Sequence, residues 1–314
     1  MSQKDRLMRD MKANPQTDYH TAVMTDEVVW LMHPKPGGVY IDCTLGSGGH
    51  AHRLLEFVCD DAQVIGIDRD QDAISAAKQR LKCFRDTVTF VHGNFSDLQD
   101  IVENLRIPQV DGILFDLGVS SYQLDEAERG FSYMEDGPLD MRMNQGAGLS
   151  AEDLVNTLSV KEITDILRTY GEERWAARIA NFIVERRDKA PITTTGELVE
   201  IIKAAIPARA RRSGPHPARR TFQALRIAVN HELDNLHEGL EQAMKILSAG
   251  GRLIVISYHS LEDRIVKTTF LEMSDPRNHG SLRILTRKPI VPCREEVIAN
   301  PRSRSAKLRA AEKF

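Results

Sequence analysis

Four short apolar runs stand out in the first part of the chain: GVYIDC (38–43), AQVIGID (62–68), TVTFVHG (87–93) and VDGILFD (110–116). Each is rich in Val and Ile. A strand with one wet face would alternate apolar and polar positions, and these runs are too continuous for that. Between them the pattern changes to helical, in HAHRLLEFVC (50–59), QDAISAAKQRLKCF (71–84) and SDLQDIVENL (96–105). Strands alternating with helices of about 10–15 residues predict a parallel sheet covered on both faces. Ser96 and Asp97 stand where the third helix needs an N-cap.

From about 125 the regularity stops, in a polar stretch holding Gly and Met that lasts to 149. From 150 to about 206 the period is helical throughout. SAED (150–153) and SVKE (159–162) are capping-box signatures, and TTTGELVEIIKAAIP opens on a Thr cap and stops at Pro207. One long helix is expected over 218–248, ended by Gly250 and Gly251. The buried-strand pattern then returns in RLIVIS (252–257), with further strands in LRILT (282–286) and SAKLRAAEK (305–313). The expected fold is α/β: a Rossmann-like sheet with an inserted all-helical domain. Residues 1–135 and 218–314 form the core and 136–217 the insertion.

Composition changes this picture little. The chain has 314 residues, enough for one large domain with an insertion, and 41% hydrophobic residues, enough for a real core. The net charge of −3 makes any basic surface local. The stretch MSQKDRLMRDMKANPQTDYH lacks an apolar core, so a secretory signal is not expected. No apolar run reaches membrane-spanning length. Cys43, Cys59, Cys83 and Cys293 form no C-x-x-C pair, which predicts reduced, buried thiols in a cytoplasmic protein.

The chemistry concentrates at Gly46, Gly48 and Gly49, between the first strand and its helix. Asp68 ends the second strand, where an acid binds ribose hydroxyls in doubly wound nucleotide-binding sheets. A nicotinamide dinucleotide site needs G-x-G-x-x-G with a pyrophosphate on the helix N-terminus. Here the spacing is G-S-G-G-H, preceded by Asp42, whose carboxylate would repel a pyrophosphate. A ligand with an α-ammonium and a sulfonium suits it better: S-adenosylmethionine. No P-loop occurs. Asp42, Asp68, Phe95 and Asp116 are all expected at one crevice, across the carboxyl ends of the strands. His259, in SYHS after the strand 252–257, should open on the same rim, as a proton relay or as a structural histidine. Metal and nucleophile patterns fail: HELDN lacks the second histidine of H-E-x-x-H, and there is no G-x-S-x-G. Arg209, Arg211, Arg212, Arg219, Arg220 and Arg226 crowd one segment that Pro and Gly keep partly out of helix, a density suited to phosphate contacts.

The stretches DCTLGSGGH, GIDRD, HGNF, DLGVSSYQLDEAERGFSYMEDGPLDMRM, ISYHSLEDRIVK and NPRSRSAKLRAAEK resemble the bacterial ribosomal RNA small subunit methyltransferase H family. The likeness spans almost the whole chain. It implies a methyltransferase version of the Rossmann sheet, with S-adenosylmethionine as cofactor. It implies cofactor contacts at Gly48, Gly49 and His50, at Asp68 on the ribose, at Phe95 near the adenine, and at Asp116 and Gln123. The family's glycine loop often has Arg where this chain has Ser47. The implied reaction is methylation of the N4 amine of a decoding-centre cytosine in 16S ribosomal RNA, within the small subunit. Arg209, Arg211, Arg212, Arg219 and Arg220 would then hold RNA, making 136–217 an RNA-recognition domain. Many amino-methyltransferases turn the target amine with a Pro-Pro-aromatic motif after the fourth strand. DLGVSS stands there instead, so Asp116 or a neighbouring carbonyl is the expected acceptor. Asp136, Asp140 and Arg142 either close over the cytosine or brace a structural loop. Another nucleic-acid or protein amine as substrate, or a non-catalytic ribosome assembly factor, stays open. So does the oligomeric state, a homodimer included.

Overall fold

The computed structural model describes residues 22–212, 214–278 and 280–314. The stretch tested above for a secretory signal lies outside them. Helix α1 (Thr25–Met32) leads into strand β1 (Gly38–Asp42) and helix α2 (Gly49–Phe57). Then follow β2 (Ala62–Asp68), α3 (Gln71–Arg80), β3 (Val88–His92), α4 (Leu98–Asn104) and β4 (Val110–Asp116). The helical part holds α5 (Ser121–Asp125), α6 (Ala151–Thr157), α7 (Val160–Gly171), α8 (Ala176–Arg187), α9 (Thr195–Ala205), α10 (Ala208–Arg211) and α11 (Arg219–Asn230). After it come α12 (Glu232–Ile246), β5 (Leu247–Ser257), α13 (Ser260–Ser274), β6 (Leu282–Ile284), α14 (Arg294–Ala299) and β7 (Lys307–Lys313). The seven strands order as β3-β2-β1-β4-β5-β7-β6. β1 to β5 are parallel, while β7 runs antiparallel to β5 and β6. This is the Rossmann-like α/β sheet that the sequence predicts.

Apolar clusters lie on both faces of the sheet, one including Tyr40, Val64, Leu114 and Ile254 and the other Ile41, Ile65, Ile113 and Val255. Adjacent residues of one strand thus divide between the faces, which is why the runs read as continuous. A third cluster belongs to the helical part and runs from Phe131 to Val229, wider than the segment 136–217. It includes Leu139 and Met141, both fully buried within the irregular stretch after α5. Helix α11 lies close to α7: a Cβ on Gly171 would come 2.6 Å from the carbonyl oxygen of Arg220.

Ser150, Ser159 and Thr194 each close a capping box, with Asp153, Glu162 and Glu197. Caps of this kind are worth about 1 kcal/mol each. Elsewhere the structure departs from the pattern. The single helix expected over 218–248 is two helices, broken at His231 with φ 50°. The break is braced from both sides: Asn235 of the second helix and Arg69, just past β2, donate to the Asn230 carbonyl at 2.9 and 2.8 Å. The second helix ends at Ile246 and passes straight into β5, ahead of Gly250. The cap before α4 is Asn94, whose side chain accepts the Ser96 N–H, and Asp97 makes no side-chain cap. All four cysteines are free, but only Cys43 is buried. Cys59 sits in a positive-φ turn after α2, and Cys293 caps α14, which puts both at exposed helix ends.

Candidate active site

A cavity of about 620 Å³ opens at the carboxyl ends of the parallel strands. The strand register decides which acids reach it. Asp68 is level with His92 and Asp116 with Ile256, while Asp42 pairs with Gly66 and Leu114, one pleat deeper. Asp68, Phe95 and Asp116 therefore line the cavity, and Asp42, placed there by sequence, does not. It is buried below, where one carboxylate oxygen accepts the Thr44 N–H at 3.2 Å. Thr44 takes the rim position on the first strand, and its hydroxyl accepts the Asp116 N–H at 2.6 Å.

The glycine turn is tied to the second strand. The Gly46 N–H donates to Asp68 Oδ2 at 2.8 Å, and the Asp70 N–H donates to Oδ1 at 2.9 Å. Gly49 and His50 are on the cavity wall. Gly48 faces away from it: φ is +80°, and a Cβ there would come 2.8 Å from Leu81. Arg80 reaches the Ser47 hydroxyl at 3.4 Å. Phe95 meets Phe115 edge to face at 5.3 Å, so it is both a core ring and a wall. Burial pushes the Asp68 carboxyl up to about 6 against the pull of the Asp70 and Gly46 N–H groups, and burial pushes Asp42 to about 6 as well.

Asp116 is gripped on both oxygens. The Tyr258 hydroxyl donates to Oδ1 at 2.8 Å, and His50 Nε2 lies 3.2 Å from Oδ2. Burial works against charge on His50, but its contact with Asp116 wins and raises its pKa. Burial and the Asp116 charge push the Tyr258 phenol well above the ordinary tyrosine range, so it stays a donor. His259 borders the cavity, but as the cap of α13: Nδ1 accepts the Glu262 N–H at 3.4 Å and Nε2 is 3.1 Å from Glu262 Oε1. Glu232, His259 and Glu262 bring ligand-type atoms within 4.8 Å of one another. Arg226 already fills the cation's part there, pairing with both oxygens of Glu232 at 2.8 Å.

Gln123 shows how the DLGVSS…DMRM stretch is held. It is the third residue of α5 and closes a capping box with Ser120. Its amide donates to Asp70 Oδ2 at 2.7 Å, as does Arg129 at 2.7 Å. Arg129 also donates to the Arg142 and Met143 carbonyls, at 3.1 and 3.0 Å. Asn230 completes the tie, accepting the Met143 N–H and donating to Met141 O, both at 2.8 Å. Asp136 and the Asp140–Arg142 pair lie off the cavity wall: Asp136 accepts the Gly196 N–H at 2.7 Å, and Arg142 grips Asp140 at 2.8 and 2.9 Å. These contacts favour the bracing role over closure on a base. Arg209, Arg211, Arg212, Arg219 and Arg220 are all exposed, and Arg219 also borders the cavity.

Thr44, Arg129 and Tyr258 were missed by sequence reasoning. A signal existed for Tyr258: it stands beside His259 just past a strand, where neighbouring side chains point apart. Nothing in the sequence marks Arg129, whose partner is set by tertiary packing.

A wound sheet whose crevice is walled by acids, with no phosphate cradle, defines a Rossmann-like enzyme for a positively charged nucleoside, a methyltransferase. The model of the MraW methylase family matches residues 17–314, and the chain belongs to that family. It is 50% identical over 308 residues to Ribosomal RNA small subunit methyltransferase H of Clostridioides difficile, covering 94% of this chain and 99% of that one. It is 52% identical over 308 residues to the protein of the same name from Symbiobacterium thermophilum, covering 94% and 97%. A solved rRNA methylase from Streptococcus thermophilus aligns at 11% identity, with a TM-score of 0.43, over 92% of this chain and 93% of that one. The cofactor is S-adenosylmethionine, and the residues fit it: the volume suits an adenosyl ligand, and the Asp68 and Asp116 carboxylates stand on the cavity wall. Among the described residues, no helix is long and apolar enough to cross a membrane.

Proposed function

We propose that the protein methylates the N4 amine of a cytosine in 16S ribosomal RNA, with the assembled small subunit as substrate. The observation that supports this reading is the near end-to-end identity of about half the residues with relatives named as ribosomal RNA small subunit methyltransferases. Asp116 supports the choice of an amine. A cytosine amine is a poor nucleophile because its lone pair is delocalised into the ring. It needs an acceptor for its N–H groups, and it must lie about 3–3.5 Å from the carbon it attacks. The cofactor supplies that carbon as an activated methyl group. Asp116, at the rim and fixed on both oxygens, accepts from the amine and takes the proton released. Asp68 holds the ribose hydroxyls. Gly49, Phe95 and Gln123 form the rest of the cofactor wall, with Gly48 supporting the turn from behind. His259 serves the site by capping α13. The helical part presents the arginines to RNA, whose target base must leave its stack to enter the cavity.

The decisive experiment incubates the protein and methyl-labelled S-adenosylmethionine with small subunits lacking the modification. Label is expected on one cytosine, at N4. Label on another atom or on protein would overturn the substrate, and tight cofactor binding without transfer would favour a non-catalytic assembly role.

Two further results are expected. Replacing Arg209, Arg211 and Arg212 by Ala should lower the slope of log affinity for RNA against log salt by about 2–3, at roughly 0.7–0.9 per lost phosphate contact. Cofactor affinity should stay unchanged; its loss would make the segment structural. The second concerns pH. With Asp68 at about 6, most molecules carry its carboxylate at pH 7 but only about a tenth do at pH 5. Calorimetric affinity for S-adenosylmethionine should fall roughly tenfold over that interval. The unliganded fold responds in the opposite sense. A carboxyl raised above its unfolded value binds its proton more tightly when folded, so the stability it contributes is lost as pH rises from about 4 through about 6. A flat affinity profile would remove Asp68 from the cofactor contacts.

A further inference from the structure

We infer that His50 and Tyr258 are positioning residues for methyl transfer, acting through Asp116 by fixing the plane of its carboxylate. This rests on the reading of Asp116 as the amine's acceptor. A carboxylate at the end of a strand can rotate about its last bond, and a target amine needs one oxygen at one place. Here the rotation is stopped from two sides. Tyr258 comes from beyond β5 and donates to Oδ1 at 2.8 Å, while His50 comes from the first turn of α2 and meets Oδ2 at 3.2 Å. The Thr44 hydroxyl holds the Asp116 backbone N–H at 2.6 Å. Each carboxylate oxygen has two lone pairs, so one donor apiece leaves an acceptor site on each for the amine.

His50 is only 6% exposed, and its Nδ1 is buried without a hydrogen-bond partner. The ring is therefore not spent on solvent or on the helix. Among the described residues its one polar contact within hydrogen-bonding distance is Asp116. Asp42 lies beneath with an unpartnered Oδ2 of its own, and its negative charge acts on His50. Two donors on one carboxylate fix its orientation and leave a lone pair on each oxygen free to accept. The other charged groups that bear on His50 and Tyr258 are Asp42 from β1, Arg80 from α3, Glu262 from α13 and Glu296 from α14.

The test uses the full chain, unmodified small subunits and saturating S-adenosylmethionine. Single-turnover methyl transfer and cofactor Kd are measured for Tyr258→Phe, His50→Gln, His50→Ala, Asp116→Asn and the Tyr258→Phe/Asp116→Asn pair. Tyr258→Phe keeps the ring and its packing, so it reports even if His50→Gln fails to fold. It is expected to slow transfer by about tenfold, as loss of one charge-assisted hydrogen bond should. The cofactor Kd should stay within about threefold, and His50→Gln, which can keep an N–H toward Oδ2, should retain more activity than His50→Ala. In the Asp116→Asn background, Tyr258→Phe should cost nothing further, since its effect passes through Asp116. A wild-type rate in Tyr258→Phe, with Asp116→Asn strongly slowed, would overturn the clamp and leave the acceptor reading standing. So would losses that multiply in the double variant. Wild-type turnover in Asp116→Asn would overturn the acceptor reading itself and the clamp with it.

Discussion

Asp116→Asn is expected to cut methyl transfer by about 10²–10⁴-fold, the range for losing a general base or its equivalent. The substitution is nearly isosteric, so Asn can keep the Tyr258 hydrogen bond through its carbonyl oxygen. What it loses is the second acceptor. An amide NH2 would then stand where Oδ1 or Oδ2 faced the amine, and two donors would oppose each other. Ground-state binding of S-adenosylmethionine should change much less than the rate, because the lost interaction grows as the amine becomes cationic. Rapid-quench transfer alongside a melting curve separates the two. A folded variant turning over at the wild-type rate would dismiss Asp116 from the chemistry.

Arg129→Ala is expected to destabilise the protein by about 3–5 kcal/mol, the cost of stripping one partner from a buried ion pair. Arg129 and Asp70 have side chains only 5% and 4% exposed, with 2.7 Å between Nη1 and Oδ2. Removing the guanidinium leaves the Asp70 carboxylate with the Gln123 amide and the Asp72 N–H but no countercharge. It also frees the Arg142 and Met143 carbonyls. In a chain of this size the midpoint of thermal unfolding should fall by roughly 6–10 °C. Arg129→Met combined with Asp70→Asn should recover part of the loss, since no lone charge then stays buried. A midpoint within a degree of wild type in Arg129→Ala would show that the pair carries no net stabilisation.

What could be read from the sequence was local. The buried strands were legible because each run is covered on both faces. The capping boxes at Ser150, Ser159 and Thr194 were legible because the cap and its partner lie three residues apart. The break at His231 was not: the apolar period continues through it, and the residues that impose it, Arg69 and the strand-like stretch at Met141 and Met143, are far off in sequence. The cavity was half legible. Asp68 and Asp116 could be placed because they end their strands, but Asp42 also ends one, and only the register with Gly66 and Leu114 shows it stopping a pleat short. Asp136, Asp140 and Arg142 could be read either as closing over the base or as bracing a loop, because the backbone N–H and ion-pair partners that engage them are set by the folded loop.

The neighbours β4 and β5 carry a consequence for the order of assembly. They pair in parallel, Asp116 beside Ile256, although the entire helical part lies between them in the chain. Closing so long a loop as free coil is costly before any contact repays it, and each doubling of loop length adds about 0.6 kcal/mol. Within the helical part α7 packs on α8 and α8 on α9, near-neighbour contacts that are quick to make, and α11 then returns onto α7. If they collapse first, they draw the ends of the loop together, and the sheet then closes over a short effective span. The helical part would thus act during folding as a built-in clasp, and weakening it at Gly171 should slow the joining of β4 to β5 before any substrate is met.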